Sequence, residues 1–395
     1  MKRILLILLA LTLILLPGCA EEPDTDIDGE NKIHTSQVVS KKMAEYGDYL
    51  YIVEDGLCCY NRQTGELRSF CTDPDCGYSC VFCNLPLEIT QVTDGRLYFN
   101  GTFVRTRENF FAYVDLVTEE ATVLLTLPKN GTSILSPPVL DNGWLYYTVQ
   151  RLREGGEATN SDDYEFCVER IPMDGGESEF VCLIKDNVDE KIYAVIDGKV
   201  LTICRDVLCV TDSQTGERKV LFDPEEHGFF RHIEMINYLD GYFYCIVYTS
   251  ELLESEYILQ PFRKCYLLKI NARTGEIKQL IKEPVYGLIV TDDTIYYTEQ
   301  AKRELYVPED YAEHPENVVW TCSYETLYAC DLDGNNRREV YTNPYLDLNN
   351  FNRVINECLY GWISTYDEAE HKRSSRFFAK LDLATGEITP ATYVD

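Results

Sequence analysis

A unit of about 50 residues repeats along this chain and constrains its fold more than any other feature. The first half of the unit is a turn pair followed by a strand rich in aromatic residues. Its seven copies are Gly47–Tyr51, Asp94–Tyr98, Asn142–Tyr146, Asp197–Leu201, Asp240–Tyr244, Asp292–Tyr296 and Asn356–Tyr360. Asp-Gly and Asn-Gly pairs between alternating apolar runs favour tight hairpins, because both residues tolerate a positive φ. Each copy therefore predicts a hairpin.

The second half of the unit is the pattern (Asp/Asn)-x-x-Thr-Gly-Glu. An Asx side chain accepts hydrogen bonds from the backbone of the turn that follows it, and the glycine adopts the left-handed conformation at the end of the turn. The complete copies are Asn61–Glu66, Asp212–Glu217, Asn271–Glu276 and Asp382–Glu387; the weaker ones are Asp115–Glu120, Met173–Gly176 and Asp331–Gly334. A second hairpin is therefore predicted in each unit.

Two hairpins in each unit give four short antiparallel strands, and helical periodicity is almost absent. A repeat of this length with four strands is typical of a β-propeller blade. We predict an all-β chain with a single propeller over residues 36–395, with seven blades if the degenerate units are counted correctly and six or eight otherwise. Residues 37–43 are expected to supply a strand beside the last blade, which would close the ring and remove an exposed sheet edge.

The N-terminus has the features of an export signal. Lys2 and Arg3 precede the apolar run 4–16, which is shorter than a membrane-spanning helix. The following Leu16-Pro17-Gly18-Cys19 resembles the lipobox of bacterial lipoproteins, and this resemblance implies lipid attachment at Cys19. We therefore expect a signal peptide at 1–18, an acidic flexible tether at 19–35, and a chain anchored to the outer (extracytoplasmic) face of a bacterial cell membrane. An ordinary secretory signal with an incidental Cys19 is the alternative.

The charge of the chain argues against nucleic-acid binding. The sequence has 36 Lys and Arg against 66 Asp and Glu, a formal charge of −30. Affinity for phosphate backbones depends on clustered basic side chains. We therefore expect no nucleic-acid partner. With 45% hydrophobic residues, the composition is that of a packed globular protein.

The two halves of the repeat are together similar to those of bacterial lipoproteins with a DUF5050-type propeller, a group akin to the six-bladed YWTD and TolB-like propellers. This resemblance covers nearly the whole mature chain and implies binding of a ligand or a protein. Quinoprotein propellers share the Asp-x-x-Thr-Gly turn but carry a tryptophan soon after it. Here Trp144, Trp320 and Trp362 do not follow a Thr-Gly-Glu turn, so a quinone-dependent enzyme is not expected.

Four of the 16 cysteines lie within thirteen residues, at Cys71, Cys76, Cys80 and Cys83. Four thiolates can surround one tetrahedral Zn²⁺ ion, but the spacing is neither that of a zinc ribbon nor that of a ferredoxin. Exported proteins form disulfides by default. Three interpretations stay open: a disulfide-stapled loop, a metal site with zinc as its ion, and reduced or mixed thiols. No other cofactor is expected.

Most of the remaining cysteines are interpreted as apolar strand residues, since a free cysteine packs like a small hydrophobic side chain. Some could face each other across a hairpin. The pairs considered are Cys204 with Cys209, Cys322 with Cys330, Cys245 with Cys265, and Cys167 with Cys182.

No catalytic constellation stands out, because the five histidines are scattered and there is no Gly-x-Ser-x-Gly elbow or P-loop. Long inserts at 150–166, 249–264 and 299–323 are expected to form the recognition surface, and tyrosine-rich loops suit peptide or glycan contacts. The ligand-binding candidates in the last insert are Tyr306, Tyr311, His314 and Trp320. We predict a monomeric, non-catalytic module that binds a protein, peptide or glycan. The alternatives are a lyase or glycoside hydrolase on the same scaffold, and a scaffold of an envelope protein assembly.

Overall fold

The repeats fold as seven antiparallel sheets arranged in a ring, which confirms the prediction of an all-β, seven-bladed propeller. The computed structural model describes residues 43–394 except 54–55, 74, 77–79, 84–87, 128–131, 135–137, 154–163, 185–190, 197, 205, 253–262, 300–302, 307–318, 323–325, 343–350 and 368–371. Within these residues the only helical segment is a single 3-10 turn, Glu225–His227. The described part of the chain contains no helix with the length and apolar character needed to cross a membrane.

The first three blades follow one another along the chain. Blade one has β1 (Met43–Tyr46), β2 (Tyr49–Val53), β3 (Leu57–Asn61) and β4 (Glu66–Ser69). Blade two has β5 (Glu88–Thr93), β6 (Arg96–Thr102), β7 (Asn109–Asp115) and β8 (Ala121–Leu127). Blade three has β10 (Val139–Asp141), β11 (Trp144–Leu152), β12 (Tyr164–Pro172) and β13 (Glu179–Ile184), and a short β9 (Thr132–Ile134) pairs with β11.

The remaining four blades repeat this order. Blade four has β14 (Lys191–Ile196), β15 (Lys199–Cys204), β16 (Val207–Asp212) and β17 (Arg218–Phe222). Blade five has β18 (Phe229–Leu239), β19 (Tyr242–Leu252), β20 (Arg263–Asn271) and β21 (Ile277–Gln279). Blade six has β22 (Val285–Val290), β23 (Thr294–Glu299), β26 (Thr326–Asp331) and β27 (Arg338–Thr342), with an inserted hairpin of β24 (Arg303–Tyr306) and β25 (Val319–Cys322). Blade seven has β28 (Phe351–Ile355), β29 (Cys358–Asp367), β30 (Lys372–Asp382) and β31 (Ile388–Pro390).

The Thr-Gly-Glu turns have the predicted local chemistry. In blade seven, the Asp382 side chain accepts hydrogen bonds from the backbone N–H groups of Ala384 and Thr385, at 3.0 and 2.8 Å. The N–H of Gly386 donates a 2.8 Å hydrogen bond to the Asp382 carbonyl and closes the turn. Gly386 itself has a φ of +75°. These backbone hydrogen bonds, that of Thr385 first, lower the pKa of Asp382 below its usual value. The motif is therefore a self-contained turn that needs little help from the rest of the fold.

Every pair of neighbouring blades shares an apolar interface. Seven clusters of buried side chains account for the seven interfaces around the ring, including the one between blades seven and one. In that last interface, Tyr60 packs edge-on against Tyr360 and Phe378, with ring centroids 6.1 and 5.1 Å apart. The core of the molecule is therefore distributed between blades and closes on itself.

The C-terminal strand β32 (Thr392–Val394) also ties the ring together. It pairs in parallel with β4, so that Thr392 lies opposite Glu66 and the last residues become a fifth, outer strand of blade one. The N–H of Thr392 donates to the Gly65 carbonyl at 2.8 Å. Of the segment expected to close the ring, residues 37–42 lie outside the described residues, and Met43 begins β1 within blade one.

Candidate functional site

The two faces of the ring carry different kinds of strand connection. The tight turns between first and second strands, and between third and fourth strands, lie on one face, which we call the turn face. The connections between second and third strands, and between successive blades, reach the opposite face, which we call the insert face. The strand ends that flank the three long inserts lie on the insert face, as do the described residues of the segment between β4 and β5. Propeller loops vary there without cost to the core, so recognition residues are expected on it.

The structure brings the four clustered cysteines together. The Sγ atoms of Cys71, Cys76, Cys80 and Cys83 all lie within 4.8 Å of one another. Cys83 Sγ is 3.7 Å from Cys76 Sγ and 3.1 Å from Cys80 Sγ, well beyond the roughly 2.05 Å of a disulfide bond. We call this group the four-thiol cluster.

Blade one holds the end of the cysteine loop in place. The Phe82 ring lies 5.4 Å from Phe70 and 6.4 Å from Phe99, between blades one and two. The Phe82 carbonyl accepts a 2.8 Å hydrogen bond from the N–H of Leu57. A Cβ at Gly56 would lie 2.9 Å from that carbonyl oxygen, so only glycine allows this close approach. Phe82, the residue before Cys83, is therefore held on the propeller by contacts that do not involve sulfur.

Two thiols of the cluster resist ionisation. Burial raises the pKa of Cys80, and burial followed by hydrogen bonds from the neighbouring thiols raises the pKa of Cys83. Burial disfavours the charged form because a thiolate loses its hydration there. A divalent cation at the centre would reverse this effect, since a coordinating thiol is deprotonated by the metal.

A second group of side chains lies on the insert face, on blade five and on the neighbouring turn of blade four. The Arg263 guanidinium stacks 4.0 Å above the ring of Phe230, which is 45% exposed. The imidazole of His232 lies 4.8 Å from the Tyr248 ring, and its Nδ1 is 3.7 Å from a carboxylate oxygen of Asp206. We call Asp206, Phe230, His232, Tyr248 and Arg263 the insert-face patch.

The insert-face patch offers a cation, an imidazole and two aromatic rings on one surface. The other Asp206 carboxylate oxygen accepts the N–H of Ile233 at 3.2 Å, which fixes the turn of blade four against the first strand of blade five. Such a surface can hold a carbonyl or carboxylate group next to an apolar side chain. The sequence analysis did not single out His232, because its partner Asp206 lies in a turn of a different blade. The run Phe229-Phe230-Arg231-His232 at the start of a blade was the available signal.

The predicted ligand-binding residues are only partly located. Tyr306 and Trp320 lie on the paired strands β24 and β25, where Trp320 is directly opposite Leu305. Their side chains are not among the described atoms, and Tyr311 and His314 lie outside the described residues. Cys19 also lies outside them, so lipid attachment stays a prediction.

The strand cysteines behave as predicted, since most of those described are buried in the apolar clusters. Burial raises the pKa of Cys245 and of Cys167 to about 12. The strand register places none of the considered pairs directly opposite each other. The partners are instead Cys245 with Leu268, Cys167 with Leu183, Cys209 with Thr202, and Cys322 with Arg303.

Comparison with known proteins identifies the fold without naming a family. No family model and no curated protein matches the chain. Among solved structures, a puromycin hydrolase matches with a TM-score of 0.54 and 12% identity, over 91% of this chain and 55% of the hydrolase. A structure from a study of two prolyl endopeptidases matches with a TM-score of 0.54 and 10% identity, over 90% of this chain and 50% of that one. The chain thus spans about half the length of each of these two proteins.

These matches correct the functional prediction. The sequence was interpreted as a non-catalytic module that binds a protein, peptide or glycan, and that prediction is wrong because the propellers that match are those of peptidases. The turn motifs did not indicate the function, because they specify blade geometry and carry no information on binding or catalysis. At 10 and 12% identity the likeness establishes the fold and transfers no catalytic residue.

Proposed function

We propose that this chain is a peptidase-type propeller, the ring that receives peptide substrates for a hydrolase unit. The observation that carries the proposal is the match of 90–91% of the chain to propeller-bearing peptidases at a TM-score of 0.54. The chain spans about half the length of the matched proteins, so the proposal concerns the propeller and assigns no residues to the hydrolase unit.

The insert-face patch gives the proposal a binding chemistry. The Arg263 guanidinium donates hydrogen bonds to a peptide carbonyl or terminal carboxylate, and Phe230 and Tyr248 pack against an apolar side chain. Arg263 already contacts backbone, since its Nη1 donates to the Thr249 carbonyl at 3.4 Å, and this holds the guanidinium near the patch. The expected substrates are short peptides with an apolar residue beside a carbonyl or carboxylate.

The test uses the full chain, tagged in its own cells and purified natively. Fluorogenic short peptides are then assayed for hydrolysis. We expect peptide hydrolysis to co-purify with the tagged chain, and Arg263→Ala to raise KM about tenfold with little change in kcat, because a charged hydrogen bond to substrate is worth about 1.5–3 kcal/mol.

The matched control is Arg96→Ala. Arg96 also stacks on an aromatic ring, 4.5 Å from the centroid of Tyr113, but it lies at the turn face directly after Gly95. Its substitution should leave KM unchanged. The proposal fails if hydrolysis does not exceed that from untagged cells, or if the two arginine variants change KM equally.

A further inference from the structure

The spacing of the four thiols matches a metal-binding tetrahedron. With a Zn–S bond of about 2.3 Å, the sulfurs of a regular tetrahedral site are about 3.8 Å apart. Cys76 Sγ and Cys83 Sγ are 3.7 Å apart, and all pairs in the cluster lie within 4.8 Å. The Sγ of Cys80 is 3.1 Å from that of Cys83, closer than this spacing, so metal binding would move these two sulfurs apart.

The arrangement also differs from that of two disulfides. A disulfide pairs each sulfur with one other sulfur and leaves the two bridges separate. Here Cys83 approaches both Cys76 and Cys80, and Cys71 lies within the same small group. Four sulfurs that surround a common point are typical of metal coordination.

The backbone near the cluster is arranged to support thiolates. The N–H of Cys80 points at Cys76 Sγ with an N···S distance of 3.3 Å, a contact that stabilises negative charge on that sulfur. The Phe82 ring packs against Phe70 and Phe99. This contact positions the Cys80–Cys83 segment before any metal binds. The site is therefore preorganised on one side.

We propose that Cys71, Cys76, Cys80 and Cys83 bind one Zn²⁺ ion. Four soft thiolates in a tetrahedron are the donor set of structural zinc sites, and a closed set of four protein ligands leaves no position for a substrate. On binding, the four S–H groups lose their protons to solvent and four Zn–S bonds form, with no change of oxidation state.

The ion would fix the connection between blades one and two. The cluster lies in the segment that joins β4 to β5, on the face that carries the inserts. Zinc there links Cys71, Cys76 and Cys80 to the part of the loop that Val81 and Phe82 already hold against the propeller. This role is independent of peptide binding, so the two proposals can fail separately.

The test measures zinc in the full chain purified under reducing, chelator-free conditions with Zn²⁺ in the medium. We expect one zinc per chain by elemental analysis. Exchange for Co²⁺ should give the absorption of tetrahedral thiolate-bound cobalt, with strong sulfur-to-metal charge-transfer bands. Cys76→Ser and Cys83→Ser should each abolish stoichiometric zinc binding.

Cys58→Ser is the matched control. Cys58 is half-buried in neighbouring β3 and lies outside the cluster, so its variant should retain the zinc. Circular dichroism shows whether each variant keeps its strands. The cobalt spectrum is recorded on the unmodified chain, so it tests the site even if the variants fail to fold. The proposal is overturned if the unmodified chain holds no stoichiometric zinc, if mass spectrometry of the chain purified without reductant finds disulfides among the four cysteines, or if iron occupies the site.

Discussion

At the scale of single residues, the glycines of the Thr-Gly-Glu turns have one backbone conformation but different surroundings. Gly216 has a φ of +71° and open space where a Cβ would be placed. Gly275 has a φ of +77°, but a Cβ there would lie 2.6 Å from the Leu221 carbonyl oxygen of the preceding blade. The glycine of the motif is therefore required only for its backbone conformation at Gly216, and also for close packing at Gly275.

This difference gives a prediction for two alanine variants. Gly216→Ala should lower the free energy of unfolding by about 1–2 kcal/mol, the cost of a left-handed residue with a side chain. Gly275→Ala should cost more, because the backbone of Leu221 cannot move aside as a flexible side chain would. Urea unfolding followed by circular dichroism measures both. Equal costs would contradict the close approach between blades four and five.

At the scale of elements, the strand β32 decides how the outer edge of blade one is covered. An unpaired edge strand exposes backbone donors and acceptors and invites aggregation. The three-residue strand covers β4, and its first residue donates to the Gly65 carbonyl at 2.8 Å. A very short element thus links the end of the chain to its first blade.

Thr392→Pro should therefore weaken the ring, since proline has no N–H to donate to Gly65. Thr392→Ala keeps the backbone donor and serves as the control. We expect a lower unfolding midpoint and faster proteolysis of the C-terminus for the proline variant only. If both variants behave like the unmodified chain, the strand contributes nothing to closure.

At the scale of the whole molecule, stability depends on seven apolar interfaces that form a closed circle. The interface between blades seven and one joins residues at opposite ends of the sequence, with Tyr60 and Phe378 packed together and fully buried. An enclosed ring has no free blade face, so loss of one interface affects both terminal blades.

Phe378→Ala should cost about 3–5 kcal/mol, the usual effect of deleting a buried phenylalanine. Phe180→Ala is the control, because Phe180 is 52% exposed on blade three and such surface changes usually cost about 0.5 kcal/mol or less. Thermal unfolding measures both variants. A small effect for Phe378 would mean that the ring does not depend on this interface.

Much of this architecture was predictable because its information is local. The hairpin pairs Asp94-Gly95, Asn142-Gly143 and Asp240-Gly241 all have positive φ at both residues, as their chemistry predicts. The candidate sites were harder to predict from the sequence. The cysteine spacing indicated a cluster but did not distinguish metal from disulfides. His232 meets Tyr248 of the paired strand in its own blade, and Asp206 of a turn in the preceding blade, only in the folded ring.

The sequence by itself determined the four-stranded blade and the position of its turns, and the tertiary structure decided that there are seven blades rather than six or eight. Side-chain hydrogen bonds to the nearest backbone groups and the freedom of glycine act within a few residues, so they can be read without a fold. Only the tertiary structure decided that the C-terminal strand closes blade one, that four thiols converge on one point, and that the insert-face patch exists. Those features depend on contacts between residues brought together by the ring, and no local pattern encodes which blade faces meet.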